Sequence, residues 1–329
     1  MNPFSYERAR GVDVAIAALG QTNSAKLLAG GTNLVDLMKN GIERPEGIID
    51  INRLPLATID PLPDGGLRLG SLARNADTAN HPLVRKQYPL LSRAILSGAS
   101  PQLRNLATNG GNLMQRTRCP YFMDASATQC NKRAPGSGCG AIDGFNRSHA
   151  ILGASDKCIA THPSDMCVAL MALDAIIQVR GPKGERQIPI AEFHRLPGES
   201  PQLDTNLQRD ELIVYINLPA SPYASHSHYL KVRDRASYEF ALVSVAAALE
   251  IEEHRIRNVR IVLGGVAHKP WLCKEAEEFL IGKTVDATVF QEAGRAAVVG
   301  SKPYQYNAFK VELAKRAVTR ALSIAGGIA

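Results

Sequence analysis

A chain of 329 residues exceeds what one ordinary hydrophobic core serves, so two or three domains or subdomains are expected. With 45% hydrophobic and 21% charged residues it has the composition of a folded globular protein rather than a disordered one, and no apolar run approaches the ~20 residues that cross a bilayer. The formal charge of +7 comes from scattered basic residues with only 5% aromatics, which argues against a nucleic-acid surface and for an acidic protein partner. Residues 1–8 lack a basic region followed by an apolar one, so no secretory signal is read there, which leaves the cytoplasm or export on a signal-bearing partner.

The first fifty residues alternate helix and strand. Val12, Ile16 and Leu19 have helical spacing, and residues 26–29 form a short apolar strand. Gly30-Gly31 turns that strand into a helix beginning near Asn33, and residues 47–51 are a further strand. The loop Ala29-Gly30-Gly31-Thr32-Asn33 thus falls between a strand end and a helix start, where free N–H groups favour an anion.

A second α/β region begins near Leu56, with a strand over 66–70 and a helix over 88–97. Arg104-Asn105-Leu106-Ala107-Thr108-Asn109-Gly110-Gly111-Asn112-Leu113 follows, a second double-glycine loop. A helix spans 164–173, a hairpin joins 175–180 to 187–190 across Gly181-Pro182-Lys183-Gly184, and a strand over 211–218 ends at Pro219. From Tyr229 three strand-like runs appear, at 229–232, 241–251 and 259–266, with Gly264-Gly265 marking a bulge or a close backbone approach. Helices close the chain. In the last one Phe309, Leu313, Ala317, Ala321 and Ala325 share a face, with Val318 and Leu322 beside it. The expected units are residues 1–55, 56–222 and 223–329, the last a separate α+β domain; there is no internal repeat.

A double glycine lets backbone N–H groups approach a ligand because no Cβ intervenes, and neighbouring hydroxyl and amide side chains add hydrogen bonds. One such loop reads as an ordinary left-handed turn. Two in one chain, each followed closely by Asn, predict a pair of jaws around a diphosphate.

Residues 114–160 break the pattern, being rich in Gly, Asn, Ser, Arg and Pro and poor in periodic apolar residues. They hold Cys119, Cys130, Cys139 and Cys158. Two disulfides, a structural zinc, a four-thiolate iron–sulfur cluster and disorder all remain open from spacing alone. Cys167 and Cys273 read as buried free thiols in helices, and His162 as structural. No Ser-His-Asp or HExxH arrangement is present, and no hydrolytic centre or catalytic side chain is assigned.

The combination of Ala29-Gly30-Gly31-Thr32-Asn33 with Arg104-Asn105, Ala107-Thr108 and Gly110-Gly111-Asn112 resembles the FAD-binding subunit of molybdenum hydroxylases. Pro163-Ser164-Asp165 with the helix behind it, and Leu230-Lys231-Val232-Arg233 with Ala241-Leu242-Val243-Ser244, extend the likeness over nearly the whole chain. The resemblance implies an α+β fold: a two-subdomain α/β FAD-binding region of PCMH type, then a C-terminal α+β domain with a three-stranded sheet plus helices. It assigns Gly30, Gly31, Thr32 and Asn33 to one side of the FAD diphosphate, and Thr108, Gly110, Gly111 and Asn112 to the other. Lys26, Leu27, Leu28, Ala29 and Leu34 would shape the adenosine and ribityl channel. Asp165 would contact ribityl or ribose hydroxyls, Ile213 would pack near the flavin ring, and Lys231 would reach its pyrimidine edge.

In most members of the family, the block matching Gly111-Asn112-Leu113 runs within a few residues into that matching Pro163-Ser164-Asp165. Here about 45 residues intervene and carry the four cysteines. A similar insertion holds a 4Fe–4S cluster in the flavin subunit of 4-hydroxybenzoyl-CoA reductase and in some bacterial aldehyde oxidoreductases. The resemblance therefore favours that cluster on Cys119, Cys130, Cys139 and Cys158. It implies a FAD and 4Fe–4S electron-transfer subunit in a heterotrimer with a large molybdenum-cofactor subunit and a small 2Fe–2S subunit. An external electron acceptor and co-export to the periplasm belong to the same expectation. A self-contained flavin oxidase or dehydrogenase, and a zinc-stapled interaction protein without flavin, are the alternatives.

Overall fold

In the computed structural model residues 1–21 and 24–328 are described; Thr22, Asn23 and Ala329, which fall within the expected units 1–55 and 223–329, lie outside them. Three sheets organise the chain. The first is parallel, with β1 (Ser5–Arg8), β2 (Ala25–Leu28) and β3 (Gly47–Asp50) in the order β1-β3-β2. Its central strand β3 is wholly buried, as the apolar Gly47-Ile48-Ile49 run requires, and the helix Val12–Gln21 covers it with Ala15, Ile16 and Leu19.

The second sheet is antiparallel. It comprises β4 (Ile59–Pro61), β5 (Leu67–Gly70), β6 (Ile176–Gly181), β7 (Gly184–Pro189) and β8 (Leu212–Leu218), ordered β4-β5-β8-β6-β7. Alternation puts Leu67 and Leu69 of β5, and Ile177 and Val179 of β6, into one core. The β6–β7 hairpin turns where the sequence placed it, with Gly184 at φ 102°.

The third sheet comprises β9 (Ser227–Val232), β10 (Val243–Glu252), β11 (Arg255–Gly264) and β12 (Trp271–Leu272), ordered β12-β11-β10-β9. It therefore has four strands, not the three expected; the two-residue β12 is too short to leave a periodic signal. The bulge lies between Glu250 and Ile251 rather than at Gly264-Gly265. Gly264 instead permits close approach, since a Cβ there would fall 2.3 Å from Ser244 Oγ and 2.6 Å from Val168 Cγ2.

The helix Asp165–Ala172 joins the second and third sheets. Every residue in it is buried, as an all-apolar Met-Cys-Val-Ala-Leu-Met-Ala run demands. One core consequently contains Leu67, Ile177 and Ile216 together with Tyr229, Ala246, Ala248 and Val262. The other face of β10, Val243, Val245, Ala247 and Leu249, packs on the C-terminal helices. The last of these, Phe309–Ala325, buries Lys310, Ala314, Ala317, Val318, Ala321, Leu322 and Ala325. Phe309 lies off that face and is exposed, whereas Lys310 is fully buried.

Residues 114–160 follow an irregular but defined path. A single helical turn spans Pro120–Met123, Cys130 bridges Cys139 in antiparallel fashion, and the N–H groups of Ile151 and Leu152 bond to the carbonyl of Val266. All six cysteines are free thiols, so disulfides do not organise this segment. No helix among the described residues is long and apolar enough to cross a membrane.

Candidate functional site

The turn after β2 forms one wall of a cleft of about 410 Å³, within the range of small-molecule sites. Gly31 sits at φ 70°, a left-handed conformation that glycine adopts without penalty, and Leu34–Lys39 then begins as a helix. Gly30 has a different reason to be glycine: a Cβ there would lie 2.1 Å from the Leu106 carbonyl oxygen. The two glycine segments are thus in direct backbone contact. The N–H groups of Gly30, Gly31, Thr32 and Asn33 have no acceptor among the described residues, so they are free for a ligand.

The second segment is not a mirror image of the first. Gly110-Gly111 opens a short helix, Asn109–Leu113, rather than a loop. The N–H of Gly110 bonds to Ser71 O at 2.7 Å, and that of Gly111 to the capping Thr108 Oγ1 at 3.2 Å. These amides are already engaged, which corrects the expectation of two equivalent cradles. Asn112 faces inward, donating to Asn75 Oδ1 at 2.8 Å and accepting from Ser164 Oγ at 2.6 Å.

Lys26, Leu27, Ala29, Gly30, Gly31, Thr32, Asn33, Leu34, Thr108, Gly110, Gly111 and Ile213 all line this cleft; Leu28, Asn112, Asp165 and Lys231 do not. Asp165 lines a second cavity, of about 230 Å³, with Cys119, His162, Phe240 and Gly265. Its Oδ1 accepts from Tyr229 Oη at 2.7 Å and its Oδ2 from Lys231 Nζ at 2.8 Å, while Lys231 also donates to Ser97 O at 3.1 Å. The cap of the helix is Ser164, whose Oγ accepts from the Cys167 N–H, so Asp165 is free of capping. Ile213 and Lys231, both expected at the flavin ring, therefore do not share a cavity.

Four buried groups on the larger cleft lack a partner: Asn33 Nδ2, Ser71 Oγ, His194 Nδ1 and Gln202 Oε1. Such orphans are rare in native structures and mark where a polar ligand or water belongs. Asn33 is oriented by its own Oδ1, which accepts the Arg116 N–H at 2.9 Å. Below it, Arg116 bridges Glu43 and Asp204 at 2.7 and 2.8 Å, and Lys132 also pairs with Asp204. Burial alone would raise the Asp204 carboxyl, but Lys132 and Arg116 hold it well below the usual carboxylate range. Sequence reading missed this network, because its members come from unrelated irregular segments.

His194 donates from Nε2 to the Leu113 carbonyl at 3.0 Å, which leaves Nδ1 a bare acceptor. Burial pushes His194 down to about 4, and burial followed by Lys132 does the same to His268. Both imidazoles are neutral when folded, with values below the ordinary 6.5. Protonation thus favours the unfolded chain, so stability holds above about pH 6.5 and falls as pH drops towards 4. Urea unfolding at pH 5 should show a loss of about 2 kcal/mol for each of the two relative to pH 7.

The cysteines gather beside the second cavity. Cys119 Sγ lies 3.1 Å from His149 Nε2, and burial pushes its thiol up to about 12. Cys158 donates to Cys139, which holds Cys139 down and Cys158 up, and Cys158 Sγ also receives the Ala160 N–H at 3.5 Å. Among the described residues His162, Cys167 and His194 bring three donor atoms within 4.8 Å of one another, with Cys167 and His194 buried and His162 partly so.

A loop of unpaired amides over a cleft of about 410 Å³, lined from the first and second sheets, defines a protein suited to an anionic cofactor. Residues 2–221 match the family described as FAD binding domain in molybdopterin dehydrogenase, and residues 228–325 the CO dehydrogenase flavoprotein C-terminal domain. The chain belongs to the FAD-binding subunits of the molybdenum hydroxylases, a family of oxidoreductase components. It is 48% identical over 326 residues to the aldehyde oxidoreductase FAD-binding subunit PaoB of Escherichia coli (strain K12), covering 98% of each chain. It is 27% identical to the carbon monoxide dehydrogenase medium chain of Hydrogenophaga pseudoflava, covering 98% of this chain and 96% of that one. The solved carbon monoxide dehydrogenase of that organism superposes with a TM-score of 0.78 over 99% of this chain and 98% of its own. The α+β fold read from the sequence is the one this family has.

Proposed function

We propose that this chain is the FAD- and 4Fe–4S-carrying subunit through which electrons leave a molybdenum-containing aldehyde oxidoreductase. The single observation that carries the reading is the turn at residues 30–33, where four free amides and the orphaned Asn33 Nδ2 face a cleft of nucleotide size. Such amides meet a diphosphate without burying a counter-charge. Thr108 adds a hydroxyl whose proton is free, since its oxygen only accepts from Gly111. Lys26, Leu27, Ala29 and Leu34 wall the channel, with Ile213 as an apolar contact.

At the second cavity Asp165 uses two of a carboxylate's roughly four acceptor positions, which leaves it able to accept from a ribityl or ribose hydroxyl. Lys231 likewise keeps one of its three donors for the ring's pyrimidine edge. Bound FAD supplies the chemistry of accepting two electrons and passing them on singly. In this reading a large molybdenum-cofactor partner oxidises the aldehyde, a small 2Fe–2S partner delivers the electrons, and an external acceptor removes them.

Four free thiols in one inserted segment, together with the family resemblance, support a 4Fe–4S cluster on Cys119, Cys130, Cys139 and Cys158. Co-export to the periplasm on a signal-bearing partner is part of the same reading, as the resemblance read in the sequence implies, and cell fractionation tests it.

Anaerobic aldehyde should bleach flavin absorbance in the assembled complex and leave the isolated chain unchanged. Bleaching of the isolated chain would instead identify a self-contained oxidase. With a net charge of +7, turnover with an acidic one-electron carrier should fall as salt rises from 0.05 to 0.5 M, roughly the span over which surface charges become screened. Salt-independent turnover counts against a basic docking face.

A further inference from the structure

Two buried groups, one within the cysteine segment and one packed on it, do not line the larger cleft. His149 brings Nε2 to 3.1 Å from Cys119 Sγ. Lys310, fully buried on the C-terminal helix, donates from Nζ to the carbonyls of His149 at 2.8 Å, Ser148 at 3.3 Å and Gly265 at 2.5 Å. Among the described residues no carboxylate pairs with it, and carbonyl dipoles alone do not neutralise a buried ammonium. Burial, and then Arg147, push it down to about 7, as befits a cation without an anion. A four-thiolate iron–sulfur cluster is anionic in both redox states, and Lys310 grips the peptide of the residue whose ring meets Cys119.

We propose that His149 and Lys310 are positioning residues that raise the reduction potential of the 4Fe–4S cluster, His149 by an Nε2–H···S hydrogen bond to Cys119 and Lys310 by its unpaired charge behind the His149 peptide. This rests on the reading of the four cysteines as cluster ligands. An iron-bound thiolate only accepts hydrogen bonds, so at 3.1 Å it is Nε2 that carries the proton. When reduced flavin passes one electron to the cluster, no bond is made or broken; the added negative charge is all that changes. A donor on sulfur and a nearby cation both favour the more negative state.

The test is an EPR-monitored redox titration, with iron analysis, of the full chain purified with its partner subunits. His149→Leu and Lys310→Met should each keep the wild-type iron content, about four irons per chain beyond those of the 2Fe–2S partner, and shift the cluster to a more negative potential. His149→Gln, which offers an N–H at similar reach, should restore most of the shift. In wild-type protein containing isotopically labelled histidine, pulsed EPR of the reduced cluster should show a weak histidine nitrogen coupling. Unchanged potential in an iron-replete His149→Leu overturns the proposal. So does the absence of histidine coupling in wild type, which decides the matter even where a variant fails to fold. A wild-type complex with no iron beyond that of its 2Fe–2S partner would instead overturn the underlying cluster reading, an outcome the iron analysis separates.

Discussion

Gly30→Ala should strip the chain of its nucleotide and destabilise it by about 3 kcal/mol, the upper end of ordinary overpacking. The new Cβ would fall 2.1 Å from the Leu106 carbonyl oxygen, 2.8 Å from its carbon and 3.2 Å from Ala107 Cα. All three are backbone atoms, held by the Asn75 N–H on Ala107 O and by Arg74 on Leu106 O, so no rotamer change relieves the clash. The two segments must part, which tilts the free amides of residues 30–33 away from the ligand. Gly20→Ala is the control: it lies in the helix Val12–Gln21 with open space around it, and should be neutral or stabilising by up to about 1 kcal/mol. Thermal unfolding and bound flavin per chain report both effects. A Gly30→Ala chain with full flavin and unchanged unfolding would show that the contact between the two glycine segments is unimportant.

Asp204→Asn should cost about 3 to 5 kcal/mol, because it removes the one carboxylate that Lys132 pairs with. Lys132 is buried and its other partner is the carbonyl of Pro201; Arg116 would keep only Glu43. The large term is the uncompensated lysine rather than the lost attraction. Asp204→Leu combined with Lys132→Met should therefore recover much of the loss, as replacement of a whole buried pair commonly does. The Asp204 contribution is present above the unfolded carboxyl value near 4 and is lost only in stronger acid, since its folded value lies well below that range. Urea unfolding of the single and double variants checks the sign and order of the effects.

The parts of the fold legible in the sequence are those where one local signal suffices. Residues 25–39 announce a strand, a glycine turn and a helix, and the chain adopts them as Ala25–Leu28 and Leu34–Lys39. The hairpin of Ile176–Gly181 with Gly184–Pro189 and the wholly apolar helix Asp165–Ala172 were equally plain. β1 escaped notice because Ser5-Tyr6-Glu7-Arg8 is exposed at every position and shows no alternation. The second glycine pair misled for a physical reason: sequence reveals that Gly110 and Gly111 can present amides, but not that Ser71 and Thr108 already accept from them. Arg116, Lys132, His194 and Asp204 meet only in the folded chain, so no spacing rule links them. Lys310 carries no burial signal in the sequence, and only the packed structure shows it buried.

The amides of residues 30–33 and the unpaired groups around them are assigned to one nucleotide diphosphate, and its presence can be measured directly. Freshly purified chain should release, on heat denaturation, about one equivalent of FAD identified by chromatography, as expected of a single site whose cofactor supplies the redox chemistry. Release of no flavin by protein that is folded and carries its iron would contradict the assignment of the cleft.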